Sequence, residues 1–540
     1  MSGHVQLPQT SLWANWKCVL ICCLVAMANL GYGIDIGVMS SFQAMPGFLI
    51  VFGYPDPRRP GVYAIGATFQ QLINSLVTLG SFLSSLVAGL FAHYFGRKAG
   101  LWVACLFSCV GLAIQVGTTS PGVIYLGRLL LGMGNGWLAA FSNIYNTEAA
   151  PAHLRAVVVA LSAEWITIGV VISAAITNAT KDRLDKASYQ IPLGIALIVP
   201  VLLAIVLLFV PESPRYLVEK GRLHEARKSL ETLRGNSLSP EDLELEWTQI
   251  LKGIEEEKRL AETMGPLDIF RGSNLRRTLL CYGMAAASVA SGLGFVTSYA
   301  AYFMIVAGLS VSESFHWFVI NTSLGILSVN IGMYIMRHVS GRRAILIVGS
   351  ALHVVFMLGL AIPASVSASD TVQRNCVVAF ICLYLFFHNL TLGSASIPVS
   401  VELVTTRLRV YTYGTSQALS GVLAWVVAFC SPYFINPEKL NWGAKYGYIW
   451  AGSSLVALVF YYFFIPELKG RTLEEIDELF ENRVPTWKFK THETTILRRA
   501  LDDVQRDHRF VPEKDDSAIA VADVKEESAS ADSPTNSVTL

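Results

Sequence analysis

The chain has 540 residues, 53% of them hydrophobic and only 15% charged, with a formal net charge of +1 and a mean hydropathy of +0.48. A soluble domain carries roughly 25% charged residues, so the composition excludes an ordinary globular protein and points to the membrane. The near-neutral charge removes the broad field a nucleic-acid partner would need, and no nucleophile, metal cluster or phosphate loop with suitable spacing suggests an enzyme or a cofactor.

The N-terminal MSGHVQLPQTSLWANWK lacks the basic head and cleavage site of a signal peptide. Residues 1–16 therefore read as a cytosolic lead into a retained first helix. Crossing about 30 Å of hydrocarbon takes roughly 20 apolar residues, and such runs are expected at 17–42, 65–93, 99–118, 122–146, 156–178, 189–210, 277–304, 313–336, 344–366, 374–403, 411–435 and 446–465. The expected fold is an all-α polytopic membrane protein of twelve transmembrane helices, with six-helix bundles over 17–210 and 276–465. The nine cysteines lie in or against these runs, which argues against a disulfide framework or a zinc site.

Residues 211–275 form the one sizeable polar insert, with helical propensity in GRLHEARKSLETLRG and in PEDLELEWTQILKGIEEEKRLAE. The short loops carry equal numbers of cations on the two sides. The insert breaks the tie, with Arg215, Lys220, Arg222, Arg227 and Lys228 leaving one helix and Arg271, Arg276 and Arg277 entering the next. Positive charge near membrane ends marks the cytosol, which places the insert and both termini there. The tail, 466–540, begins with the helical TLEEIDELF and reads as disordered from about Asp515.

Division at the insert exposes a repeat. HYFGRK at 93–98 matches HVSGRR at 338–343, so His93, Gly96, Arg97 and Lys98 correspond to His338, Gly341, Arg342 and Arg343. Glu148 and Arg155 in EAAPAHLR match Glu402 and Arg409 in ELVTTRLR, and PESPR with Glu212 and Arg215 matches PELKGR with Glu467. Repeats of this kind place a substrate site near the midplane between the halves. Each GR element reads as a tight interfacial turn in which glycine permits a conformation other residues resist.

The motifs GIDIGV at 33–38, GRLLLGMGNG at 127–136, YNTEAAPAHLRA at 145–156, PESPRYLVEKGR at 211–222 and PELKGRTLEEIDELF at 466–480 resemble the sugar porter branch of the major facilitator superfamily, over about residues 28–490. The closing NWGAKYGYIWAG and ELFENRVPTWKF look most like fungal members. The resemblance implies transport of a small polyhydroxylated solute by alternating access. It also implies that the GR cations bridge to Glu148, Glu402 and the PES and PEL acids, latching the two bundles on the cytosolic side. Exposed pairs are individually weak, about 0–1 kcal/mol, as a gate that must open requires. This chain departs from the family pattern by placing His93 and His338 where acids are usual. A histidine could complement Glu148 or Glu402 only when protonated, so a looser or more pH-dependent gate is expected.

Asp35 lies inside the first span, where an unpaired acid costs at least ~2.5–3.5 kcal/mol. Arg128 is its expected partner, with glycines 132, 134 and 136 allowing helices to approach. In resembling proton-coupled members the acid at this position takes up the proton and releases the arginine, which implies symport here. Glu164 in the fifth span is a second intramembrane carboxylate, read either as a cavity group or as facing the cytosol near the helix start. Asn178-Ala-Thr180 is a glycosylation sequon.

The family's seventh-span QQxSGxN motif is reduced here to SVASGLG at 288–294, and Ala163 and Ile397 stand where the family has a glutamine and an aromatic. Sugar hydroxyls need convergent partners worth ~0.5–1.5 kcal/mol each. The remaining candidates are Ser288, Ser291, Thr297, Tyr299, Tyr302, Asn321, Asn330 and Gln417, although most polar residues in such bundles bond neighbouring helices. Three readings follow. One is a proton-coupled porter of sugars or polyols. Another is a same-fold porter or exporter of a less hydroxylated solute, an organic acid or fungal secondary metabolite. The third is a nutrient sensor signalling through its tail. The expected setting is a monomer in the lipid bilayer of a fungal plasma membrane, with a small solute, accompanied by a proton, as its partner.

Overall fold

The computed structural model describes residues 13–494 apart from 56–62, 152–153, 236, 264, 307, 367–369, 406–407, 470, 472, 490 and 493. The expected disorder from Asp515 onward lies outside the described residues.

Apolar runs without water to satisfy their backbone must close their hydrogen bonds internally, and helices do so. The first pass is α1 (Trp16–Ala26) with α2 (Ala28–Phe42), followed by a short α3 (Pro46–Phe52) and by α4 (Ala67–Phe95), α5 (Arg97–Gly117), α6 (Pro121–Ala149), α7 (Arg155–Thr180) and α8 (Ala187–Phe209). The insert supplies α9 (Pro214–Glu219), α10 (Leu223–Arg234) and α11 (Pro240–Thr263). The seventh pass is α12 (Gly272–Ala290) with α13 (Leu293–Val306). It precedes α14 (Val311–Tyr334), α15 (Arg342–Ser365), α16 (Asp370–His388), α17 (Ser394–Glu402), α18 (Arg409–Ile435) and α19 (Gly447–Phe463). A π turn, Ile335–Val339, extends α14, and another, Asn389–Gly393, joins α16 to α17 in the tenth pass. The only sheet among the described residues pairs β1 (Tyr54–Pro55) with β2 (Tyr63–Ala64), Tyr54 opposite Ala64.

These elements make the twelve expected passes. Ten are long and apolar enough to cross a membrane. The other two are α6, which carries Arg128, Asn135, Asn143 and Asn146, and α19, which has 17 residues. Large apolar side chains such as Phe209, Val456 and Leu90 stand exposed on the outside of the helices, the pattern of a surface solvated by lipid.

Two passes break, and in each case side chains satisfy carbonyls near the break. At the α1–α2 junction Trp165 donates to the Cys23 carbonyl at 3.1 Å and Asn29 to that of Ala26 at 3.1 Å. At the α12–α13 junction Gly292 adopts φ +86°, and the freed carbonyls of Ala290 and Ser291 accept from Ser453 and Tyr384, each at 2.7 Å.

Both bundles and the insert belong to one compact unit ending at Lys469. The insert is anchored by Arg234, whose buried guanidinium forks onto Glu246 at 2.8 and 2.5 Å and donates to the Ala149 carbonyl at the end of α6 at 2.8 Å. Residues from Gly470 onward form a second unit. Its described part contains α20 (Leu473–Glu481), an Arg471–Glu475 pair at 3.1 Å and Phe480 packed edge-on against Phe489.

Candidate functional site

The first site lies inside the N-terminal bundle. Asp35 on α2 meets Arg128 on α6 at 2.5 Å, with side-chain exposures of 6% and 3%. Arg128 also donates to the Ile73 carbonyl at 2.9 Å, and Asn135, about two turns further along the same face of α6, reaches the other Asp35 oxygen at 3.4 Å. The small residues make the approach possible, because a Cβ at Gly132 would land on the Val77 backbone of α4. The expected pair is therefore formed. A narrow crevice of about 10 Å³, room for roughly one water, runs past Asp35 and Asn135, otherwise lined mainly by apolar residues of α5, α6 and α8.

At the insert-bearing end, the two GR turns are built alike. Arg97 bonds Glu148 at 2.8 Å and Glu219 at 3.3 Å, while Ser213 donates to the second Glu148 oxygen at 2.5 Å. Glu212 caps the start of α5 by accepting from the Lys98 amide at 3.2 Å. In the second half Arg342 forms an ion pair with Glu402, and Glu467 accepts from the amides of Arg342 and Arg343 at 3.0 and 3.3 Å. Glu212 and Glu467 thus each face the positive end of a helix. Burial raises the Glu212 pKa above the usual carboxylate value, opposed by amide hydrogen bonds from Ser213 and Lys98.

Three expectations about these turns need correction. The described networks close within each half: Arg97 meets Glu148 of its own bundle and Glu219 of the insert, and Arg342 meets Glu402 of its own bundle. Gly96 uses the left-handed region, with φ +95°, but Gly341 has an ordinary φ of −70°; its requirement is spatial, since a Cβ would collide with the Glu467 carboxylate. His93 and His338 stand exposed, against Tyr94 and Tyr334, while Arg97 and Arg342 already occupy Glu148 and Glu402. Arg155 and Arg409 are the first residues of α7 and α18, and Arg215 is in the first turn of α9.

The polar contacts that do join the halves lie mostly at the opposite end. Gln43, after α2, donates to the Ser298 carbonyl on α13 at 3.1 Å and accepts from Gln70 at 2.8 Å. Asn74 on α4 donates to the Tyr299 hydroxyl at 3.0 Å. Asn436, after α18, donates to Gln70 at 3.1 Å and to the Ile65 carbonyl at 2.9 Å, and Glu438 accepts from the Ala67 amide at 2.9 Å. Sequence reasoning found only Tyr299 of this set. The missed signal is three amides, Gln43, Gln70 and Asn74, in otherwise apolar surroundings, which bundles reserve for helix-to-helix bonds. A further link is Asn330 on α14, donating to Glu164 on α7 at 3.0 Å.

The other expected substrate residues do not converge. Ser291 is buried, with its carbonyl held by Tyr384, and Thr297 bonds back to its own helix at 2.9 Å. Asn321 is buried, Tyr302 is half-buried, and Ser288 and Gln417 are exposed. Ser291 Oγ donates to the Ser288 carbonyl at 2.7 Å, a bond within one helix that gathers no group from another. Asn178 sits in the last turn of α7, accepting from Lys181 at 2.8 Å, with Thr180 buried. That is a helical setting rather than the surface loop a glycosylation acceptor requires.

A family model described as Sugar (and other) transporter matches residues 21–480. The chain belongs to this family. Among its relatives in the sugar (and other) transporter family, a major facilitator-type transporter of Aspergillus rugulosus is 29% identical over 88% of this chain and 89% of its own length. The high glucose sensor RGT2 of Saccharomyces cerevisiae is 31% identical over 87% of this chain and 61% of the sensor. The hexose transporter HXT10 of the same yeast is 26% identical over 90% and 89%. The inward-open structure of the xylose transporter XylE from E. coli superposes with a TM-score of 0.68 at 19% identity, covering 86% of this chain and 99% of that one. The fold is therefore the twelve-helix major facilitator fold.

Proposed function

We propose that this family member carries sugars or related polyols across a membrane by alternating access, coupled to protons through Asp35. The observation that carries the reading is the buried Asp35–Arg128 pair inside a major facilitator fold. Protonation neutralises Asp35 and cuts the bridge. Arg128 then keeps only the Ile73 carbonyl, and α2 loses its ion pair to α6 while keeping the Asn29 bond to Ser142. Because α2 ends at the Gln43 contacts with α13, loosening it biases how the halves meet. In this reading the end where Gln43 and Asn74 bond the halves together faces outward, and the insert faces the cytosol.

A second reading, transport of a less hydroxylated solute, is favoured by one observation. Gly294 takes the place of a hydrogen-bonding residue, and a Cβ there would meet nothing within 4 Å. The place is open but offers no polar group. The sensor reading rests on the RGT2 likeness alone.

The test is uptake of labelled hexoses and disaccharides by a porter-deficient yeast expressing the chain, with and without a protonophore. Protonophore-sensitive uptake lost on Asp35→Asn is the expected result. No uptake of any sugar despite surface expression favours the second reading.

A further inference from the structure

Two histidines lie where no transport step described above uses them. His353 on α15 is fully buried, and His388, the last residue of α16, is 4% exposed. Their rings stack at 5.1 Å with an interplanar angle of 11°, and His353 also packs on the ring of Tyr384 at 4.6 Å. Among the described residues both nitrogens of His353 and Nδ1 of His388 have no hydrogen-bond partner. Tyr384, third in this cluster, directs its hydroxyl to the Ser291 carbonyl at the broken joint of the seventh pass. His388 also opens the π turn 389–393, whose Thr391 occupies the space a side chain at Gly349 of α15 would need.

The charged groups on these helices and on those packed against them sit at helix ends. Arg342 and Arg343 precede His353 by about 16 Å of helix, Arg374 precedes His388 by about 21 Å, and Glu402 follows it by about 20 Å. Glu313 and the exposed His316 lie in the first turns of α14, and Lys445 is in the turn before α19. The surrounding helices otherwise offer only the phenols Tyr299, Tyr302, Tyr446 and Tyr461 and the thiols Cys376 and Cys382, apart from exposed tyrosines such as Tyr334, Tyr448 and Tyr462. Asp370 opens α16 about 27 Å of helix before His388, and among the described residues no carboxylate is bonded to either imidazole.

We infer that the His353–His388 pair is a second proton-binding site, distinct from Asp35, which holds the joint of the seventh pass closed while neutral and releases it when protonated. The physical reason is differential solvation. An imidazolium among apolar rings without an acceptor is costly, so the closed cluster binds a proton poorly and any conformation that wets the rings binds it better. By linkage, acid favours the wetted conformation. Opening the cluster withdraws Tyr384 from the Ser291 carbonyl, leaving only Ser453 to serve the freed carbonyls at the joint. This goes beyond the alternating-access reading and does not need a substrate to be tested.

The experiment is hydrogen–deuterium exchange of the full chain in detergent at pH 7.5 and 5.5, with exchange times scaled for intrinsic chemistry, read on peptides covering 287–296. Wild type is expected to exchange at least about fivefold faster there at pH 5.5, and His353→Phe/His388→Phe to show no pH effect while keeping the aromatic stack. Should the double variant fail to fold, His388→Phe alone is expected to cut the effect by half or more. An acid-induced change equal in wild type and the variant, or none in wild type, overturns the proposal. Loss of sugar uptake in the yeast panel would bear on the functional reading and leave this result standing.

Discussion

Asn330 on α14 donates a hydrogen bond of 3.0 Å to the Glu164 carboxylate on α7, so one residue from each half meets between the bundles. Glu164 lies nine positions into α7 and Asn330 nine positions before the end of the π turn that extends α14. The pair is therefore set well inside the bundle from the insert-bearing end.

Removing the Glu164 carboxylate forfeits a charge-assisted bond worth about 1.5–3 kcal/mol. Glu164→Ala is expected to slow solute uptake by roughly 10- to 100-fold, and Glu164→Gln, which still accepts from Asn330, to retain most of it. Initial uptake rates at matched surface expression check this.

Asp35→Asn leaves Arg128 buried without its counter-charge. A loss of about 3–5 kcal/mol is expected, seen as a lower unfolding temperature in detergent. Asp35→Asn/Arg128→Met should recover most of that stability without restoring accumulation against a gradient. A double variant as unstable as the single one would contradict the pairing.

At the opposite end, Gln43 holds Ser298, Gln70 and Asn74 together. Gln43→Ala removes contacts worth about 0.5–1.5 kcal/mol each, so the equilibrium should move toward the state opened at that end. Distances between spin labels placed on α4 and α18 near that end are expected to lengthen or broaden. Unchanged distributions would show that apolar packing alone keeps the end closed.

The Glu212 carboxyl has its pKa raised, chiefly by burial. A carboxyl whose folded pKa lies above its unfolded value contributes stability below the unfolded pKa and loses it as pH rises through the folded one. Wild type should therefore match Glu212→Gln near pH 4.5 and fall behind it as pH climbs. Unfolding temperatures of both proteins from pH 4.5 to 8 provide the measurement. His93→Ala/His338→Ala should leave the same profile unchanged, since neither histidine contacts Glu148 or Glu402.

Much of this protein is written locally. Twelve apolar runs determine twelve helical passes because hydrocarbon leaves the backbone no other partner. The motif repeat determines two related halves, and a lone acid in the first apolar span and a lone arginine in the fourth have little choice but each other. What the tertiary structure decided is which contacts cross between the halves. In sequence Glu148, Glu402 and the GR cations look like a latch, yet each carboxylate lies nearer a cation of its own bundle, and the pairing closes there. Gln43, Asn74 and Asn436 look like scattered amides, and they become a joint only when α2, α4, α13 and the end of α18 are brought together from positions hundreds of residues apart. Periodicity carries the covering of a helix by apolar side chains, but the partner of a polar one is a property of packing.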